Sequence, residues 1–250
     1  TSPVSVTRRA GGYAAFRVMP GGALPFSYQW YKGTTPINGA TNDMLWLSNI
    51  QLADDATAYY AKVSNPWTSV DTDSATLTVV AQTNTLPTSA YAKLVLADSP
   101  VAYWRLDEVN GDGAALDVVG SFDGTFNTTP TTTYANPQFT FGVDCGIEGE
   151  TDKALGTTGG ARVSIPWAVE LNPTGPFTVE AWIKPNSLGA DAQDYRTVIS
   201  SEGTTPGGWL VYQQPNNHYA WVAFNGTRTG YPWVEDTVHT VVANEWIHMG

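Results

Sequence analysis

Apolar and polar positions alternate in short runs along this chain, and Pro, Gly or Asp closes most of them. Across residues 177–185, Phe177, Val179, Ala181 and Ile183 alternate with Thr178, Glu180, Trp182 and Lys184. Successive side chains of a strand point to opposite faces, so a period of two predicts a strand with one face on a core. Pro173 and Pro176 precede this run and Pro185 ends it, the bounded length expected in an antiparallel sandwich. The same alternation marks residues 73–80, with Ala75, Leu77 and Val79 on one side, and residues 101–106, where Ala102, Trp104 and Leu106 oppose Val101, Tyr103 and Arg105. Val163 and Ile165 repeat it, and residues 197–200, 208–212 and 219–224 are strand-like and separated by turns. Residues 90–98 differ: they predict about two helical turns, with Ser89 as N-cap and Ser99-Pro100 as the stop.

Within residues 1–80, FSYQWYKG places Phe26, Tyr28 and Trp30 at alternating positions, and LWLSNIQLADDATAYYAKVSN supplies two strands around a compact corner. This stretch resembles an immunoglobulin-like module. The resemblance implies that Trp30 is the core Trp of the third strand. It also implies that Asp55 and Tyr59 form the corner whose tyrosine hydroxyl fastens a loop to backbone. Ala61 stands where the later Cys is expected and the region around Phe16 also lacks one, so the two sheets close without a constraint of about 2–4 kcal/mol.

Residues 81–92 read as a linker and the start of the short helix: AQTNTLPTS is too small and polar to build a core. From residue 93 to 250, the stretches 98–108, 122–126, 161–166, 171–185, 197–200, 208–212 and 245–250 resemble the concanavalin A-like, laminin-G-like jelly-roll family. The expected fold is therefore all-β, an immunoglobulin-like sandwich followed by a concanavalin A-like jelly-roll sandwich. The pattern of that family continues for several strands past EWIHMG, which implies a truncated second domain completed by a remaining segment of the same polypeptide.

Composition narrows the partners. The 250 residues carry 12 Lys and Arg against 23 Asp and Glu, a formal charge of -11, which repels a nucleic-acid backbone on average. No apolar run reaches the length of about 20 residues that a membrane-spanning helix needs. Cys145 is the one cysteine; it excludes an intrachain disulfide and reads as a buried or semi-buried thiol acting as a small hydrophobe.

Catalytic patterns are missing from the sequence: there is no HExxH, phosphate loop or GxSxG. Glycoside hydrolysis requires two carboxylates facing a scissile bond. The nearest acidic set, Glu148, Glu150 and Asp152, sits among glycines and reads as a solvated turn. Asp107, Asp112 and Asp123 lie around Gly-rich turns, and the resemblance implies structural Ca2+ as their use, since calcium takes oxygen ligands from such loops.

Ten Trp and 12 Tyr raise a different chemistry. A sugar ring lays its C–H face on an exposed aromatic while polar side chains bond its hydroxyls. Trp233, Trp182, Trp209, Trp221 and Tyr212 are the candidate platforms, with Arg228, Gln213 and Asn217 as polar partners. Trp233, in TGYPWVED, is the most loop-like. Trp30 and Trp104 read as core, and Trp67 as packing at a turn or domain boundary. The chain is expected to be a non-enzymatic, extracellular or cell-surface module of a larger protein, binding a polysaccharide, a cell-surface glycan or an extracellular protein. An accessory region of a carbohydrate-active enzyme and a structural stalk are the alternatives.

Overall fold

A computed structural model describes residues 1–111, 113–130, 136–173, 175–188, 195–201, 207–225 and 233–250. The chain folds as two compact units, Thr1–Glu170 and Leu171–Gly250.

The first unit begins with β1 (Val6–Arg9), β2 (Ala14–Arg17), β3 (Ser27–Lys32), β4 (Thr35–Pro36), β5 (Met44–Leu47), β6 (Thr57–Ser64), β7 (Ser69–Asp71) and β8 (Ala75–Val80). One sheet runs β1-β8-β6-β3-β4, with β7 also on β6, and β2 pairs with β5 in the other. β1 is parallel to β8, while β6 runs antiparallel to both of its neighbours, β3 and β8. This is an immunoglobulin-like sandwich. Alternation in β8 buries Ala75, Leu77 and Val79 as expected.

Trp30 is 0% exposed, opposite Ala61 in the register, and its indole Nε1 donates to Asn42 O at 2.9 Å. Phe16 fills the gap that a disulfide would span. Its ring stacks on Tyr59 at 5.1 Å and lies 6.4 Å from Trp30. Burying side chains of this size contributes about 1.5–3 kcal/mol each, which compensates for the missing bond. The corner differs from the resemblance in one respect. The Tyr59 hydroxyl meets Lys32, whose ammonium also reaches Asp54 Oδ1 at 2.8 Å, and bonds no backbone group among the described residues. Asp55 does the fastening instead, accepting from Val79 N at 2.8 Å. Trp67 sits in a turn, as expected, but stands 72% exposed.

The helix α1 (Ala90–Ala97) follows, with the Ser89 hydroxyl accepting from Ala92 N at 3.3 Å. The acidic turn read as solvated turns out to serve this helix: Glu150 Oε1 accepts from Tyr91 N at 2.7 Å and Asp152 accepts from the Ser89 hydroxyl at 3.1 Å. Negative charge at a helix N-terminus is favoured by the unpaired N–H groups there. Beyond it come β9 (Ala114–Ala115), β10 (Gly124–Asn127), β11 (Gln138–Asp144), β12 (Lys153–Thr158) and β13 (Arg162–Ser164). They form one sheet in the order β13-β10-β9 and a hairpin of β11 with β12. Residues 101–106 contribute only a bridge, Trp104 to Asp117, rather than the full strand the alternation predicts. The Trp104 indole donates to Phe122 O at 2.7 Å, so Trp104 is held by a polar bond as well as by packing.

The second unit contains β14 (Ala181–Ile183), β15 (Arg196–Ser200), β16 (Gly207–Gln213), β17 (Tyr219–Asn225), β18 (Trp233–Glu235) and β19 (Ile247–Met249). β15, β16, β17 and β18 form a four-stranded antiparallel sheet in chain order, and β14 pairs with β19. The strand predicted over 177–185 is regular only at its centre, where β19 supplies partners. Unpaired backbone cannot hold a ladder, whatever its side-chain alternation.

A candidate recognition surface on the four-stranded sheet

The register of β16, β17 and β18 sorts the aromatic residues onto two faces. Trp233 lies opposite Val222, and Val222 opposite Leu210. Glu235, Ala220 and Tyr212 form the next row on that same face. Val234, Trp221 and Val211 lie on the other. The alternation within β18 thus turns Trp233 and Glu235 one way and Val234 the opposite way.

On the Val234 face the aromatic residues pack on one another. Trp209 and Trp221 stack at 5.2 Å with their planes 8° apart, and Phe177 closes on them at 5.7 and 5.6 Å. Trp209 is 8% exposed. A ring held in this way contributes packing. Beside the cluster runs a cleft of about 600 Å³ with a mostly aliphatic lining, including Val179, Ile199, Val211, Val234, Ile247 and Met249. Tyr219 also lines it, and burial pushes its phenol up to about 12. At the rim, the Asp236 carboxyl is held down to about 2 by the N–H groups of His239 and Val238 and by the His239 ring, whose Nδ1 lies 2.9 Å from Oδ2.

The opposite face of β18 has other chemistry. Trp233 is 51% exposed. Two residues on, at roughly 7 Å along a strand, Glu235 accepts from Asn216 Nδ2 at 2.6 Å. Asn216 Oδ1 in turn accepts from His218 N at 3.2 Å, which fixes the amide in the turn between β16 and β17. An open indole beside a fixed amide and a carboxylate provides an apolar platform with hydrogen-bonding groups at its edge. Neither Asn216 nor Glu235 emerged from the sequence reading, because nothing in their spacing says that the turn at 216 and the strand at 235 meet. Gln213 and Asn217 pair with each other instead, Nε2 to Oδ1 at 3.0 Å.

The remaining candidates are dispersed. Trp182 packs, tilted by 32°, against its cross-strand neighbour His248 at 5.1 Å, in the β14–β19 pair. Tyr212 shares the Trp233 face but packs against Tyr195 at 5.7 Å. Arg228 and Asp112 lie outside the described residues. Asp107 pairs with Arg105 at 2.9 Å, and Asp123 holds the Arg9 guanidinium through both oxygens. Among the described residues no three His, Cys, Asp or Glu side chains stand together as a metal-holding group. Calcium takes about six to eight oxygen ligands. As arranged, Asp107 and Asp123 each serve a guanidinium group.

Among solved structures, similarity extends to the N-terminal Ig1-2 module of the Drosophila receptor protein tyrosine phosphatase DLAR, with 16% identity, 93% of this chain and 92% of that one covered, and a TM-score of 0.30. A chimeric titin Z1Z2-Z1Z2 tandem carrying a GRGDS peptide from fibronectin has 13% identity, 94% coverage of each chain and a TM-score of 0.27. Neither likeness bears on what this chain does. No curated protein matches the chain significantly. Residues 156–249, which contain the whole four-stranded sheet and the β14–β19 pair, match the laminin-G-type family model described as the concanavalin A-like lectin/glucanases superfamily.

Proposed function

We propose that the chain is a non-enzymatic recognition module of an extracellular or cell-surface protein, and that it binds glycan on the Trp233 face of β18. The observation that carries this reading is the half-exposed Trp233 indole aligned with the Asn216–Glu235 pair. An apolar sugar face stacks on the indole, and the amide and carboxylate bond the hydroxyls at its margin. Trp209 and Trp221 support the sheet from behind and make no direct contact with the sugar. The similarity of residues 156–249 to a lectin-containing superfamily agrees with this reading, and the immunoglobulin-like sandwich supplies the spacer.

A polysaccharide array probed with the intact chain and with Trp233→Ala tests it. Loss of an exposed platform removes contact area without opening a cavity. The variant should therefore lose about tenfold or more in affinity, a change of about 1.4 kcal/mol, while its melting temperature stays put. Binding that survives Trp233→Ala unchanged would remove Trp233 from the site, and the lack of any glycan bound would remove the reading.

A further inference from the structure

Two adjacent arginines at the end of β1 face the segment that follows the sandwich, and each makes a bidentate pair there. Arg8 donates through Nε and Nη2 to the two oxygens of Glu170, both at 2.9 Å, with its guanidinium 4.9 Å above the Phe122 ring. The Glu170 side chain is 0% exposed and also accepts from Ala15 N at 2.8 Å, so it ties β1 and β2 together at once. Arg9 donates to both Asp123 oxygens, at 3.1 and 2.5 Å, and to Gly120 O at 3.0 Å. Its backbone N–H donates to Ser121 Oγ at 2.6 Å.

The receiving side is itself fastened. Asp123 Oδ1 accepts from Asp117 N at 2.9 Å, and the fully buried Asp117 carboxylate accepts from the N–H groups of Tyr103, Val119 and Phe122. Tyr13 OH donates to Ser99 O and Asn84 Nδ2 to Asp117 O, each at 2.9 Å. The backbones approach so closely that a Cβ on Gly12 would lie 3.4 Å from Val119 O.

We propose that Arg8 and Arg9 act as a two-pronged latch that locks the immunoglobulin-like sandwich to residues 98–170, so that they move and unfold as one rigid body. Neighbouring strand residues point to opposite faces. The two guanidiniums therefore grip from opposite sides of β1, Arg8 on Glu170 and Arg9 on the 120–123 turn, and a hinge rotation that relieves one breaks the other. Bidentate pairing fixes the angle as well as the distance of each grip. Residues 81–92, read from composition as a linker and the start of a short helix, are bracketed by these contacts. The consequence is a first unit in which the sandwich has no free swivel against residues 98–170.

The test is a pair of spin labels on the full chain, at Thr78→Cys in β8 and Ser164→Cys in β13, with Cys145→Ser to remove the native thiol. Both label positions are exposed. The unaltered latch should give one narrow distance distribution, and Arg9→Asp should broaden it. The swap Arg9→Asp with Asp123→Arg should narrow it again, because the ion pair is restored with reversed polarity. Hydrogen exchange at the Leu77 and Ala61 amides, in the core of the sandwich, shows whether each variant keeps that sandwich folded. A broad distribution with the latch unaltered overturns the proposal. So does a narrow one that persists in Arg8→Met/Arg9→Met with Leu77 and Ala61 still protected.

Discussion

Truncation of Trp30 to Ala probes the disulfide-free core where it is densest. The side chain is fully buried between the two sheets, near Phe16 and opposite Ala61, and its Nε1–H satisfies Asn42 O. Removing a buried aromatic ring costs about 3–5 kcal/mol for lost transfer and residual cavity, and the lost hydrogen bond adds about 1 kcal/mol. Ala61 is too small to move into the space, and the Phe16 ring is already held against Tyr59, so the cavity stays open and the upper part of that range applies. A total of about 5 kcal/mol approaches the whole stability of an ordinary domain, about 5–15 kcal/mol. Trp30→Phe keeps a ring and should cost only about 1–2 kcal/mol, the hydrogen bond plus a partial cavity. Native-state hydrogen exchange of the Leu77 and Ala61 amides in the intact chain reads the opening free energy of the sandwich directly. A drop below about 1 kcal/mol in Trp30→Ala would refute the reasoning, since it would mean that Phe16 and Tyr59 close the core without the indole.

Other consequences follow from the buried and capping carboxylates. Asp117→Asn retains one acceptor oxygen where Asp117 uses two, Oδ1 for Tyr103 and Val119 and Oδ2 for Phe122. At least one buried N–H then loses its partner, and chemical denaturation should report a loss of about 1–3 kcal/mol. Asp236 has its folded value lowered to about 2 by the His239 and Val238 N–H groups, so its contribution is fully present above the ordinary carboxylate value. That contribution is lost as pH falls from about 4 towards 2. Amide exchange at Val238 and His239 should accelerate over that window, after correction for intrinsic rates, and a flat profile would contradict the assignment.

The sequence made the immunoglobulin-like sandwich readable because its signals are local. Trp30 and the alternation of Ala75, Leu77 and Val79 each report on their own strand and each occupies a defined place in the core, whereas the corner is fastened by Asp55 rather than by the expected Tyr59 hydroxyl. The capped helix at Ala90–Ala97 was readable for the same reason, through Ser89. The proposed recognition surface was only half visible. The exposed Trp233 could be picked from its loop-like surroundings, but Trp209 and Trp221 are drawn from the same composition and turn out to stack on each other. Which face a tryptophan takes depends on strand register, and register across the β16–β17 turn is not written in either strand alone. Long-range pairs were invisible for a related reason. Arg8 to Glu170 spans 162 positions and Arg9 to Asp123 spans 114, and nothing in the charge pattern of β1 names its partners. Asp123 drew notice as an acid in a turn, a property shared by calcium ligands and guanidinium acceptors.

The most direct test of the proposed recognition surface is fluorine NMR of the intact chain carrying 5-fluorotryptophan at its 10 Trp positions, with the Trp233 and Trp30 resonances assigned by single Phe replacements. Titration with a polysaccharide selected on the array should move the Trp233 resonance in a saturable manner and leave that of the buried Trp30 in place. Saturable binding with the Trp233 resonance unmoved, or shifts confined to other tryptophans, would contradict the claim that glycan is held on the Trp233 face of β18.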